Sequence, residues 1–251
     1  MFPRLRLLGE GSFGAVYLSQ LDGVPVAVKT VSRARAARSG IDIQQEISIL
    51  RLLAAYRHVY SNILYLVAED EMPTEIDIIT NYIDGVEVNK GPISPEYMVS
   101  MAVQVLSTLA FLHTNSIIHR DIKYDNILYS DPHFVIIDYG LACHEQCEGV
   151  VGARTGYTEA VFTHYEYGTT PSFAELKQSD VFAFGVCMFD CVVPESDVYY
   201  LTDYKEYDYS RPRRWVYDGG VVERIIRLLV YTPPADAAEA LATITPWISN
   251  I

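Results

Sequence analysis

The sequence predicts an α+β chain in two unequal parts. Residues 1–83 are rich in strands and residues 84–251 are mainly helical. Three observations carry this. The first 30 residues hold short β-prone runs separated by glycine turns. From Pro95 onward the apolar residues recur at helical rather than strand spacing. Between the two lies a cluster of chain breakers, Asp84-Gly85 and Lys90-Gly91-Pro92. The length allows one or two domains, and no internal repeat or low-complexity stretch is found.

The elements follow in order. Leu5, Leu7 and Leu8 lead into a glycine-rich turn, and residues 15–18 form a second strand. Asp22-Gly23 is a hairpin signal, and the β-branched run 24–28 is the third strand. Over residues 40–56, Ile43, Ile47, Leu50 and Leu53 fall on one helical face. The runs 63–67 and 76–80 read as strands. Residues 98–114 are apolar nearly all round, the pattern of a buried helix. Residues 117–137 are short apolar pieces around a polar loop. Residues 179–193 form a second apolar helix, ended by Pro194. Its apolar stretch contains Asp190 and is too short to cross a bilayer.

The chain has 19 Lys and Arg against 32 Asp and Glu, a formal charge of −13. Such a surface disfavours nucleic acid and anionic lipid and suits basic partners, besides maintaining solubility. The four cysteines are sparse and late, unlike a secreted disulfide framework. The first residues lack the apolar run of a signal peptide. An intracellular location, cytoplasm or nucleus, is the expectation.

Four motifs carry chemistry. Gly9-Glu10-Gly11-Ser12-Phe13-Gly14 brings backbone N–H groups close to an anionic phosphate. A strand follows it rather than the helix of a dinucleotide fold, which favours a phosphate-covering hairpin. Lys29, in Val26-Ala27-Val28-Lys29, lies 15 residues after Gly14 and can neutralise phosphates. Glu46, 17 residues later on the amphipathic helix, can hold Lys29. Alone, either residue would be an ordinary solvated charge. The third motif is His119-Arg120-Asp121-Ile122-Lys123-Tyr124-Asp125-Asn126. Here Asp121 can take the proton of an incoming hydroxyl, Lys123 can touch a γ-phosphate and Asn126 can ligate Mg²⁺. Asp138-Tyr139-Gly140 closes the set, with Asp138 the second Mg²⁺ ligand.

In this order and spacing, the motifs resemble those of the eukaryotic-type protein kinases over essentially the whole chain. The resemblance implies a two-lobed protein-kinase-like fold, with a small β-rich N-lobe (1–83, including the hinge) and a larger helical C-lobe (84–251). ATP and Mg²⁺ would bind in the cleft between them. It places Thr80 as gatekeeper, Asn81-Tyr82-Ile83 as the adenine-binding hinge, Glu87 near the ribose, and Val16, Ala27 and Leu128 around adenine. Leu50, His119 and Tyr139 match three residues of the regulatory spine, and Asp180 matches the aspartate that braces the catalytic loop. Lys123 is similar to serine/threonine rather than tyrosine kinases. The implied protein is a monomeric serine/threonine kinase acting on protein substrates, basic ones in particular. The alternatives are a pseudokinase scaffold, which would have lost Lys29, Asp121 or Asp138, and a small-molecule kinase, which usually lacks the lysine at 123.

Two departures stand out. The box that ends the activation segment is degraded, with Val161 at its glutamate position, or in another register Glu159, which would still lack its arginine. Asp236 stands where the partner arginine is normally found. Both halves of one ion pair are lost together, which costs less than losing one. Compact chains of this kind occur in large DNA viruses and reduced genomes. From Leu141 to Ala153 there is no Ser, Thr or Tyr, so activity is expected without phosphorylation there. Glu145 or Glu148 would then meet Arg120, with Thr155, Tyr157 and Thr158 the remaining modifiable sites. Cys143, His144 and Cys147 offer one ligand too few for structural zinc.

Overall fold

A computed structural model describes residues 2–11, 14–60, 62–91, 93–144, 171–192 and 220–249. The degraded box at 159–161, Glu145, Glu148, Thr155, Tyr157, Thr158, Cys147 and the basic residues Arg211, Arg213 and Arg214 lie outside the described residues.

The first part is a five-stranded antiparallel sheet in the order β1-β2-β3-β5-β4. Its strands are β1 (Arg6–Gly11), β2 (Gly14–Leu21), β3 (Val24–Ser32), β4 (Leu66–Glu71) and β5 (Glu75–Asn81). The β2–β3 turn places Asp22 at φ 51° and Gly23 at φ 81°, the left-handed pair that a tight two-residue hairpin requires. Two helices cross over between β3 and β4. The short α1 (Arg33–Arg38) is capped by the Ser32 side chain. The amphipathic α2 (Ile43–Ala54) is capped by Asp42, whose carboxylate accepts from the backbone N–H of Gln44 and Gln45. Ile47, Leu50 and Leu53 of α2 are fully buried, worth about 1.5–3 kcal/mol each relative to exposure.

The later part is helical. Ser94 and Pro95 start α3 (Pro95–Thr114), a helix long and apolar enough to cross a membrane. Here it is the core: Met98, Met101, Ala102, Val105, Leu106, Leu109 and Leu112 have no exposed surface. It packs on α4 (Phe173–Val192), α5 (Val221–Tyr231) and α6 (Ala237–Ile248). The short strands β6 (Val86–Glu87), β8 (Ile127–Ser130) and β9 (His133–Ile136) form a small sheet. Gln104 of α3 stitches this sheet down, donating to Pro132 O (3.0 Å) and accepting from Phe134 N (3.1 Å). The pair β7 (Ile117–Ile118) and β10 (Cys143–His144) flanks it.

The chain thus has the expected two-part α+β architecture. Two boundaries and one element differ from expectation. The strand expected at 63–67 is shifted to Leu66–Glu71, α1 was not anticipated, and α4 begins six residues before the expected 179. Cys143 is disulfide-bonded, while Cys187 and Cys191 are free. One bridge is not the framework of a small secreted domain, and the core described above closes without it.

Candidate active site

The sheet register brings the cleft residues onto one face. Val16 pairs with Lys29, Ala27 with Thr80, and Lys29 with Ile78. Directly opposed residues share a face, so Val16, Ala27, Lys29 and Thr80 look the same way. Val26, Val28 and Ile79 occupy the other face and form a separate apolar cluster with Phe2. Gly9 and Gly11 lie exposed on β1. Gly14 sits so close over β3 that a Cβ there would run into the carbonyl oxygen of Thr30. Only glycine lets the hairpin lie this low.

Lys29 Nζ is 2.7 Å from Glu46 Oε1 and 2.7 Å from Asp138 Oδ1. Thus β3, α2 and the Asp138-Tyr139-Gly140 segment meet at one ammonium. Burial opposes the charge on Lys29, but Asp138 and Glu46 outweigh it and raise its pKa. Lys29 holds the Asp138 carboxyl down at about 2, so Asp138 is ionised at any working pH. Burial pushes Glu46 above the usual carboxylate range, against the pull of Lys29.

The catalytic-loop residues form a second knot. Asp121, 5% exposed, accepts at Oδ2 from Asn126 Nδ2 (2.8 Å) and Lys123 Nζ (3.1 Å). Its Oδ1 is buried with no hydrogen-bond partner among the described residues. Asn126 Nδ2 also donates to Asp121 O (2.8 Å), which leaves the Asn126 carboxamide oxygen as its free end. Two hard oxygens, on Asn126 and Asp138, suit Mg²⁺, which takes few protein ligands and completes its shell with phosphate and water. Among the described residues no cluster of three or more His, Cys, Asp or Glu offers a different metal cage.

Asp180 on α4 holds the loop. It is 1% exposed and accepts from the backbone N–H of His119 (2.8 Å) and Arg120 (2.8 Å). Arg120 is held at φ 64° and Asp138 at φ 60°, conformations that non-glycine residues keep only under constraint. Tyr139 stacks edge-on against His119 at 5.0 Å, and Leu50, His119 and Tyr139 are all buried. His119 accepts from Asp121 N at Nδ1 (3.3 Å), so Nε2 carries the proton and faces Ile137 O at 3.1 Å. His113, absent from the sequence reading, contacts Asp180 Oδ2 at 3.2 Å from within α3. The signal was a lone histidine among apolar helix residues, normally a core filler.

The hinge is fixed by Asn81. Its side chain accepts from Tyr65 N (2.8 Å) and donates to Ile63 O (3.2 Å). Those bonds replace a ladder at 63–65, which is why β4 starts later than its apolar run. Tyr82 accepts from Arg6 (3.0 Å) and donates to Asp84 (3.2 Å) through its hydroxyl. Glu87 pairs with Leu128 in the small sheet and forms an ion pair with Lys90 at 2.8 Å. Burial, then Glu87, raises the pKa of the neighbouring Asp125. Asp236, far from any arginine role, caps α6 by accepting from Glu239 N at 3.0 Å.

Comparison with known proteins identifies the family. The protein kinase domain model matches residues 2–207. CBL-interacting serine/threonine-protein kinase 13 of Arabidopsis thaliana is 30% identical over 73% of this chain and 38% of its own length. CBL-interacting serine/threonine-protein kinase 18 of the same plant is 29% identical over 91% of this chain and 45% of its own length. The carbon catabolite-derepressing protein kinase of Candida albicans is 34% identical over 55% of this chain and 23% of its own length. The chain thus spans less than half the length of these relatives. It belongs to the protein kinase domain family.

Proposed function

We propose that the chain is an active Mg²⁺-dependent serine/threonine protein kinase with a preference for basic residues upstream of the acceptor hydroxyl. The observation that carries the active reading is the single ammonium of Lys29 shared by Glu46 and Asp138 at 2.7 Å each. A scaffold that only binds nucleotide has no need to keep this junction together with a buried Asp121.

In this reading Gly9, Gly11 and Gly14 cover the phosphates. Val16, Ala27, Thr80, Tyr82 and Leu128 surround adenine, and Glu87 meets the ribose. Lys29 neutralises phosphate charge, with Glu46 positioning it. Asn126 and Asp138 would hold Mg²⁺, which supplies charge neutralisation at the transferring phosphoryl group. The free Oδ1 of Asp121 accepts the hydroxyl proton of the substrate, and Lys123 steadies both Asp121 and the transferred group. Lys123 and the serine/threonine kinases among the relatives support the acceptor class.

Three carboxylates support the basic preference. Asp125 lies in electrostatic reach of Glu87, and both Asp190 and Asp125 lie in electrostatic reach of Cys187. Residues 84–251 hold 11 Lys and Arg against 23 Asp and Glu, so this part carries nearly all the net charge. A carboxylate pair suits the forked donors of an arginine. We further read residues 1–251 as one catalytic domain, monomeric, independent of nucleic acid and membrane, and intracellular. The bridge at Cys143 is the one observation that runs against a strongly reducing compartment.

The test is incubation with radiolabelled ATP, Mg²⁺ and a positional peptide library, beside an Asp121→Asn control. Lys29→Met and Asp138→Ala are each expected to lower phosphotransfer by several orders of magnitude without unfolding the protein. Substantial activity in folded Asp138→Ala sinks the assignment of that residue. A scan in which upstream arginine is neutral or disfavoured removes the basic preference and leaves the kinase reading intact.

A further inference from the structure

The acidic side of the cleft already holds a cation of its own. Lys90 Nζ sits 2.8 Å from Glu87 Oε2, three residues along the chain. The turn that carries it, Val88–Lys90, is anchored. Val88 is fully buried, and the Tyr97 hydroxyl donates to Val88 O at 2.9 Å. The Lys90 side chain is instead 62% exposed, so it can swing away while its backbone stays fixed. Across from it, the turn Tyr124–Asn126 packs against the same segment and carries Asp125. The Asp125 carboxylate lies in electrostatic reach of Glu87, Asp121, Lys90 and Lys123.

Charge counting then separates the two lysines. Lys123 is committed to Asp121 at 3.1 Å. Lys90 is paired with Glu87, so the three carboxylates Glu87, Asp121 and Asp125 share two ammonium groups and one negative charge is left over.

We propose that Lys90 is a tethered competitor for the substrate's basic side chain: it occupies Glu87 until an upstream arginine displaces it. The displacement costs little, because an exposed lysine–carboxylate pair is weak and the released ammonium returns to water. An arginine gains more than the lysine loses, since its planar fork can engage Glu87 and Asp125 together. Lys90 thereby sets how strongly a basic residue must be presented before it binds, and it filters out substrates with a single weakly held lysine. The inference rests on the basic-substrate reading and specifies its regulation.

The experiment compares two peptides that differ only in an upstream Arg or Ala, with wild type, Lys90→Ala, Glu87→Gln and the double variant. The measured quantity is the ratio of KM for the Ala peptide to KM for the Arg peptide. Wild type is expected to show a ratio above one. Lys90→Ala is expected to raise it about two- to fivefold, the range of an exposed ion pair. In the Glu87→Gln background the same substitution is expected to leave the ratio unmoved, because the shared acceptor is gone. A wild-type ratio near one overturns the basic-substrate reading and this inference with it. A wild-type preference that Lys90→Ala leaves unchanged overturns this inference alone. A change confined to the KM for ATP also overturns it, since Lys90 would then act on the ribose side.

Discussion

Tyr139 fills the pocket beside His119 with its ring and buries a hydroxyl that has no hydrogen-bond partner among the described residues. The residue is 1% exposed, and burial raises its pKa far above the ordinary phenol range. An unpaired buried hydroxyl costs roughly 1–3 kcal/mol, whereas a ring of the same shape without it costs nothing of that kind. Tyr139→Phe is therefore expected to stabilise the fold, raising Tm by about 2–4 °C for each kcal/mol recovered in a chain of this size. Thermal denaturation measures it; an unchanged or lowered Tm would mean the hydroxyl has a partner. At this scale the site was legible wherever chemistry dictates both residue type and spacing. Lys29, Glu46 and Asp138 meet at one ammonium, and Asp121 and Asn126 are joined by a hydrogen bond. His113 was not legible, because its value comes from Asp180, 67 residues away in sequence.

At the scale of elements, the apolar pattern found the helices and strands but not their ends. The run at 63–67 is apolar because Ile63 and Leu64 are buried, yet Asn81's side chain bonds the backbone of Ile63 and Tyr65. No apolar period encodes a hydrogen bond from a distant asparagine. Helix α1 was missed because six residues give too short a pattern, although Ser32 before an alanine-rich run was a usable capping signal. Asp236 was read by what it replaces, a missing arginine, whereas it starts α6 through its carboxylate. Asp236→Ala removes that cap and is expected to cost about 1 kcal/mol, with Asp236→Asn retaining most of the stability. Urea unfolding of the three proteins decides. An alanine variant as stable as the parent would show that Glu239, which accepts from Ala235 N at 2.8 Å, secures the helix start alone.

At the scale of the molecule, the charge is distributed unevenly. Residues 1–83 are nearly neutral, with 8 Lys and Arg against 9 Asp and Glu, and the remainder carries 11 against 23. The half that would receive a protein substrate is therefore the acidic one, and its field acts beyond the three carboxylates near the cleft. Fields between exposed charges are screened over about 10 Å at 0.1 M salt and about 3 Å at 1 M. Close ion pairs in a partly buried pocket are screened less. Salt should therefore weaken encounter with a basic peptide while leaving the transfer step, proposed to rest on Lys29, Asp121, Asn126 and Asp138, largely as it was. We expect the KM for an arginine-containing peptide to rise on the order of tenfold between 0.05 and 0.5 M KCl, with kcat changing far less. The same peptide with its arginines replaced by alanine should show a much flatter dependence, and ATP, screened by its own metal ion, should lie between the two. Steady-state kinetics over that salt series give the answer. A KM for the basic peptide that is indifferent to salt would mean that the acidic surface serves solubility alone, and that any preference for arginine arises only from direct contacts at Glu87, Asp125 and Asp190.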